Sequence, residues 1–215
     1  MGRRRDRALR RGAAKRQPRM RLLVLCEGEV TEPKYLRAFK HEHKSQLVEV
    51  EVLPECGVPK SLVERAVERK KFARKEARRH SDPYLEYDEV WCVFDVDTHP
   101  NLPEAKQQAH DNGLNLAISN PCFELWILLH FQEQHAEQPH GAIQKAVRKY
   151  LQDFVKEVPY DRVQPHYEQA VTRAKALMEW QVRQGRPDGN PSTAVHKLTE
   201  RIAELGKERF LGQKG

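Results

Sequence analysis

At 215 residues and 25.1 kDa, with a mean hydropathy of −0.81 and 32% charged residues, the chain can bury a full core but must carry a densely charged surface. No apolar run approaches the roughly 18 residues that span a bilayer, and the arginine-rich start lacks the apolar stretch of a secretory signal, so a cytoplasmic protein without membrane contact is expected. The net charge of +7 is uneven: residues 1–21 hold ten Lys/Arg against one acid, Asp6, which leaves 28 basic and 30 acidic residues elsewhere and makes the basic excess a tail.

Residues 1–19 lack apolar periodicity and read as a disordered basic arm, in which Arg3, Arg4 and Arg5 attract polyanions without sequence preference. The same composition fits a solubility tail or a misassigned start codon. Met20–Cys26 is then a nearly continuous apolar run, the pattern of a strand covered on both faces. Tyr35, Leu36 and Phe39 predict a helix over 31–44, with Pro33 in its first turn. Val48–Leu53 alternates Val and Glu, as a strand nearer an edge does. A long helix is predicted over 61–80, with Leu62, Val63, Ala66 and Val67 on one side. Its other side is thick with basic residues, among them Arg74 and Arg78, and reads as a solvated face or as a nucleic-acid contact. Val90–Phe94 is the strongest buried-strand signal and runs straight into Asp95-Val96-Asp97. A helix over 102–110 and a strand over 114–119 complete the order β-α-β-α-β-α-β, which implies a mostly parallel sheet with helices on both faces. Beyond Asn120-Pro121 the pattern turns helical through Phe123, Trp126, Ile127 and His130. Further helices are predicted over 142–154, 162–184 and 193–210, with Ser192 as N-cap of the last. The chain thus divides into the arm (1–19), an α/β core (20–120) and a helical extension packed on it (121–215).

Cys26, Cys56, Cys92 and Cys122 form no C-x-x-C pair, which argues against a paired-ligand zinc site. Cys26 and Cys92 lie in apolar runs, where a thiol serves as a small hydrophobe. The histidines show no H-E-x-x-H spacing, and Gly57–Ser61 ends in Lys-Ser without the glycine a P-loop needs before the lysine. Lys60 and Ser61 nevertheless open a helix after a Gly-Val-Pro loop, where a phosphate can be met. Phe123 and Trp126, at helical spacing, read as core.

Two of the strand candidates end in acids, one in Glu27 and one in Asp95 with Asp97. Ligands of open α/β sheets gather at the carboxyl ends of the strands. Clustered carboxylates repel unless a cation is present, and their oxygens suit Mg2+, with Mn2+ as a substitute. A single strand-end Asp more often caps the next helix, but three acids on two buried strands favour a metal site. Gly28 after Glu27 allows a tight turn there.

Cys26-Glu27-Gly28-Glu29-Val30-Thr31-Glu32-Pro33-Lys34-Tyr35 resembles the opening motif of RloB-like proteins, and Val93-Phe94-Asp95-Val96-Asp97 resembles their second. Ser119–Trp126 with Leu128–Phe131 is similar to their third motif, and Asn190–Leu198 to their C-terminal one, so the resemblance runs from Cys26 to Leu198. It implies a TOPRIM-like fold, shared with primases, topoisomerases and OLD-type nucleases, in which Glu27, Asp95 and Asp97 match the Mg2+-holding acids. It also implies a phage-defence setting beside an ABC- or AAA-type ATPase partner. The expected activity is therefore Mg2+-dependent phosphodiester cleavage of DNA or RNA. Asp95 and Asp97 hold the ion, and Glu27 is a further ligand or the general acid/base. Glu124, Glu32 and His196 are second-rank catalytic candidates. An acid opening a helix, as Glu124 does, also favours the helix dipole, and a helical histidine such as His196 is often a packing residue. Glu32 is expected to face solvent in a first helical turn, and His99 lies near Asp97. The competing readings are a non-catalytic nucleic-acid-binding or regulatory subunit of a defence complex, and phosphoryl chemistry on small nucleotides.

Overall fold

The structure, a computed structural model, describes residues 20–45, 48–52, 58–96, 101–152, 154 and 157–211. The arm with Arg3, Arg4 and Arg5 lies outside them, as do Cys56, Asp97 and His99. Five strands, β1 (Leu22–Cys26), β2 (Val48–Val52), β3 (Glu89–Asp95), β4 (Asn115–Asn120) and β5 (Ser192–Thr193), form one sheet in the order β2-β1-β3-β4-β5. The first four are parallel, and β5 runs antiparallel to β4. The helices among the described residues are α1 (Thr31–Glu42), α2 (Pro59–His80), α3 (Leu102–Asp111), α4 (Glu124–Leu129), α5 (His140–Tyr150), α6 (Tyr160–Val163), α7 (Tyr167–Arg183) and α8 (Val195–Leu211).

The strands are continuously apolar because both faces of the sheet are covered. In β1, Leu22, Val24 and Cys26 join one core cluster, while Leu23 and Leu25 join the other. Tyr35, Leu36 and Phe39 of α1 cover the first face; Leu62, Val63 and Ala66 of α2 and Ala105 and Ala109 of α3 cover the second. Handedness explains this split. The step from β1 to β2 goes one way across the sheet, and the steps from β2 to β3 and from β3 to β4 go the other. Right-handed crossovers then put α1 on one face and α2 and α3 on the opposite one. Where the direction reverses, a crevice opens between the carboxyl ends of β1 and β3.

The architecture is the predicted one, an α/β fold with a mostly parallel sheet between helices and a helical C-terminal region. That region packs on the face of α1: Trp126, Leu129, Ile143, Ala174, Leu198 and Ile202 share one cluster with Leu22, Val24, Trp91 and Val93. Two local predictions differ. The helix predicted over 162–184 is interrupted, with α6 passing through a 3-10 turn at Gln164–His166 before α7 begins. Pro165 supplies no N–H and its ring crowds the carbonyl one turn back, so the ladder restarts after it. Ser192 is not a helix cap but pairs with Asn120 in β5, and Thr193 Oγ1 instead accepts the Val195 N–H at the start of α8 (3.4 Å). No helix among the described residues is long and apolar enough to cross a membrane.

Candidate metal centre at the sheet crevice

Glu27 directly follows β1 and extends its ladder, donating its N–H to the Val93 carbonyl (3.0 Å). Cys26 pairs with Val93, so Glu27 stands level with Phe94 and one residue short of Asp95. Neighbouring strands lie about 4.8 Å apart, which sets the Glu27 and Asp95 backbones roughly 6 Å from each other on one rim. Asp95 pairs with Ser119 of β4, and the Val96 N–H donates to the Ser119 carbonyl (2.8 Å). Strand alternation turns Asp95 toward the face of Trp91 and Val93, where α1 and α4 pack.

Two more acids close on this rim. Glu32, expected to face solvent, is buried at 7% exposure in the first turn of α1. Its carboxylate folds back over Gly28 and fills the place a Cβ would take, so a side chain at 28 would displace the Glu32 carboxylate. Burial pushes the Glu32 carboxyl up to about 7, and the charges of Glu124 and Glu27 add to the shift. Glu124, also 7% exposed, opens α4. One of its oxygens accepts from Gln144 Nε2 (3.0 Å), and the other lies 3.5 Å from His140 Nε2. Cys122 is fully buried beside them; burial pushes its thiol up, with the charges of Glu124 and Asp95 contributing. Glu124 therefore belongs to two electrostatic neighbourhoods, acting on Glu32 together with Glu27 and on Cys122 together with Asp95.

Cys122, Glu124 and His140 each offer a ligand atom, and these atoms all lie within 4.8 Å of one another. Sequence reading passed over Cys122 and His140, which stand far apart in the chain without motif spacing. The available signal was Cys122-Phe123-Glu124 just past β4, on the rim that already carried the acids.

His196 is buried in α8, with Nδ1 3.2 Å from the Thr193 carbonyl, and burial brings its pKa down to about 4. Thr193 meets Ser119 hydroxyl to hydroxyl (3.0 Å), and Ser119 is the register partner of Asp95. The contacts of His196 thus brace β5 behind the rim. Lys60 is exposed in the first turn of α2, just beyond the carboxyl end of β2 and so on the rim of the acids. Arg74 and Arg78 are exposed on the same helix, but at about 1.5 Å per residue they lie some 21 and 27 Å further along its axis, toward the opposite rim. The structure does not bring them to the acids.

Fold and rim together define an α/β protein with acids at the carboxyl ends of the strands where its strand order reverses. The family model described as RloB-like protein matches residues 22–202, and the chain belongs to the RloB-like family. No curated protein and no solved structure matches it. The motif segments occupy one region of the fold: the ends of β1, β3 and β4, and β5 laid against β4.

Proposed function

We propose that this chain is a Mg2+-dependent nuclease that cleaves phosphodiesters of DNA or RNA as a phage-defence effector, working beside an ATPase partner. The reading is carried by Glu27 and Asp95 ending adjacent strands at the sheet's reversal point, with Glu32 and Glu124 buried near the same rim. The donor set fits a hard divalent cation, since it is made of carboxylate oxygens, and the raised Glu32 carboxyl is the mark of negative charge crowded in a desolvated place. Mg2+, when bound, neutralises this charge and polarises a phosphoryl oxygen. Glu27 and Asp95, with Asp97 by family resemblance, hold the ion. Glu32, a carboxyl that loss of water holds above the usual range, is placed beside them to accept or return a proton. Lys60 on the same rim draws the phosphate backbone toward the crevice. The TOPRIM likeness, the defence role and the ATPase partner rest on the resemblance of the motifs.

The test is incubation of the purified full chain with DNA and RNA panels in Mg2+, Mn2+ or EDTA. Cleavage is expected with the metals and not with EDTA. Asp95→Ala combined with Asp97→Ala should lower it at least about 100-fold, because several kcal/mol of charge stabilisation are lost at about 1.4 kcal/mol per tenfold. Thermal melting should be unchanged. A double variant that cleaves like the wild type sinks the reading, and nucleic-acid binding without any cleavage favours the non-catalytic subunit.

A further inference from the structure

We infer a second metal site of different chemistry: Cys122, Glu124 and His140 together bind a borderline-soft divalent transition ion of the Zn2+ class, next to the acidic crevice. Their ligand atoms already lie within 4.8 Å of one another, with Glu124 Oε2 and His140 Nε2 at 3.5 Å. A tetrahedral ion with bonds of about 2.0–2.3 Å needs ligand atoms some 3.3–3.8 Å apart, so the site closes with movements of about 1 Å or less. The donors are one sulfur, one oxygen and one nitrogen. That set disfavours Mg2+ and Ca2+, which take oxygen, and favours the later transition metals.

The hydrogen bonding points the same way. The Gln144 amide nitrogen lies 2.9 Å from His140 Nε2 and 3.0 Å from Glu124 Oε1. It donates to Glu124 Oε1 and so fixes that carboxylate, leaving Oε2 toward His140. His140 Nε2 stands 3.5 Å from that second oxygen, with the buried Cys122 sulfur on the third side. A carboxylate oxygen, an imidazole nitrogen and a thiol sulfur thus meet around one small volume, two of them on buried residues. Gln144 is placed as an outer-shell residue for Glu124, holding its other oxygen. The end of β4 and the start of α4 hold Cys122 and Glu124 rigidly, while half-exposed His140 in the first turn of α5 leaves a way in for the ion. Three protein ligands leave a coordination position open for water or a substrate oxygen. Binding expels the Cys122 proton to solvent, since the thiolate is the ligand.

Co2+ is the probe. The full-length protein, stripped with a chelator, is titrated with Co2+ and followed by absorption. One ion per chain is expected, with a sulfur-to-cobalt charge-transfer band. Cys122→Ser should abolish the band, and His140→Ala should weaken binding more than about tenfold, the lower end of the loss that outer-shell partners alone cause. Asp95→Ala should keep both band and affinity. Because His140 is half exposed, its variant is expected to keep the wild-type circular dichroism, which covers the case of a Cys122→Ser chain that does not fold. A wild-type protein without the band, or a band that survives Cys122→Ser, overturns the site. The readout involves no nucleic acid and no Mg2+, so its failure leaves the nuclease reading standing, and failure of the nuclease reading leaves this one standing.

Discussion

Glu32, His130 and His196 are buried ionisable side chains whose protonation is shifted mainly by loss of water, and they pull stability in opposite directions over one pH range. Burial lowers both histidines to about 4, and His130 Nδ1 lies 2.9 Å from the Trp126 carbonyl. The unfolded chain protonates them near 6.5, so their contribution is whole above that pH and is lost as pH falls toward 4. Glu32 behaves the other way: unfolded it ionises near 4.5 and folded near 7, so its contribution is whole at low pH and is lost as pH rises through that interval. Each shift corresponds to roughly 3 kcal/mol, so two histidines against one glutamate leave a net loss of roughly 3 kcal/mol on acidification from pH 7 to 4. Replacing Glu32 by Gln removes the opposing contribution. Urea unfolding of Glu32→Gln is expected to show a higher midpoint than wild type at pH 7.5 and a steeper decline toward pH 4.5. Parallel curves for the two proteins would mean that Glu32 is not a buried, repelled acid.

At the scale of elements, α8 and the end of α1 touch backbone to backbone. A Cβ on Gly206 would collide with the His43 carbonyl, and Ser45 Oγ donates to the Ile202 carbonyl at 2.6 Å. Helix propensity alone makes Gly206→Ala stabilising by about 1 kcal/mol. The collision is with main chain, which cannot swing aside, so overpacking is expected to prevail and destabilise the protein by about 1–3 kcal/mol. The sign of the shift in urea midpoint decides between the two, and a stabilised variant would put α8 further from α1. The basic face of α2 is likewise part tertiary structure. Arg69 pairs with Glu51 on the edge strand, and Lys70 Nζ donates to the carbonyls of Asn112 (3.0 Å) and Gly113 (2.8 Å) at the end of α3. Those two residues of the face hold elements together, while Arg74 and Arg78 stand in solvent.

For the whole molecule, the sheet and the C-terminal helices share one core. The face that carries Leu22, Val24, Trp91 and Val93 is covered by α1 and by residues of α4, α5, α7 and α8, and β5 extends the sheet itself. A chain ended at Asn120 would leave much of this apolar face in water, at about 25 cal/mol for each Å² exposed. Such a fragment is expected to bind a hydrophobic dye and to lack a cooperative thermal transition by circular dichroism. A fragment that melts cooperatively would show that the sheet and its first helices stand alone.

The order of strands and helices through β4 was legible because buried strands and amphipathic helices repeat at different periods, and because an apolar run ending in an acid marks a strand's carboxyl end. Glu27 and Asp95 were found in that way, from local pattern alone. The two residues of β5 are too few to write a period, so only their pairing with β4 reveals them. Glu32 was misread as a surface acid because its burial depends on the fold-back over Gly28 and on Glu124 arriving from beyond β4. Cys122 and His140 meet only because α5 packs beside α4, and Lys60 is separated from Arg74 and Arg78 only by the length and direction of α2. By itself the sequence determined the α/β architecture and two of the acids on its rim. The tertiary structure alone decided which further side chains reach them, because through-space neighbours and burial are set by how elements pack, and no spacing along the chain encodes that distance.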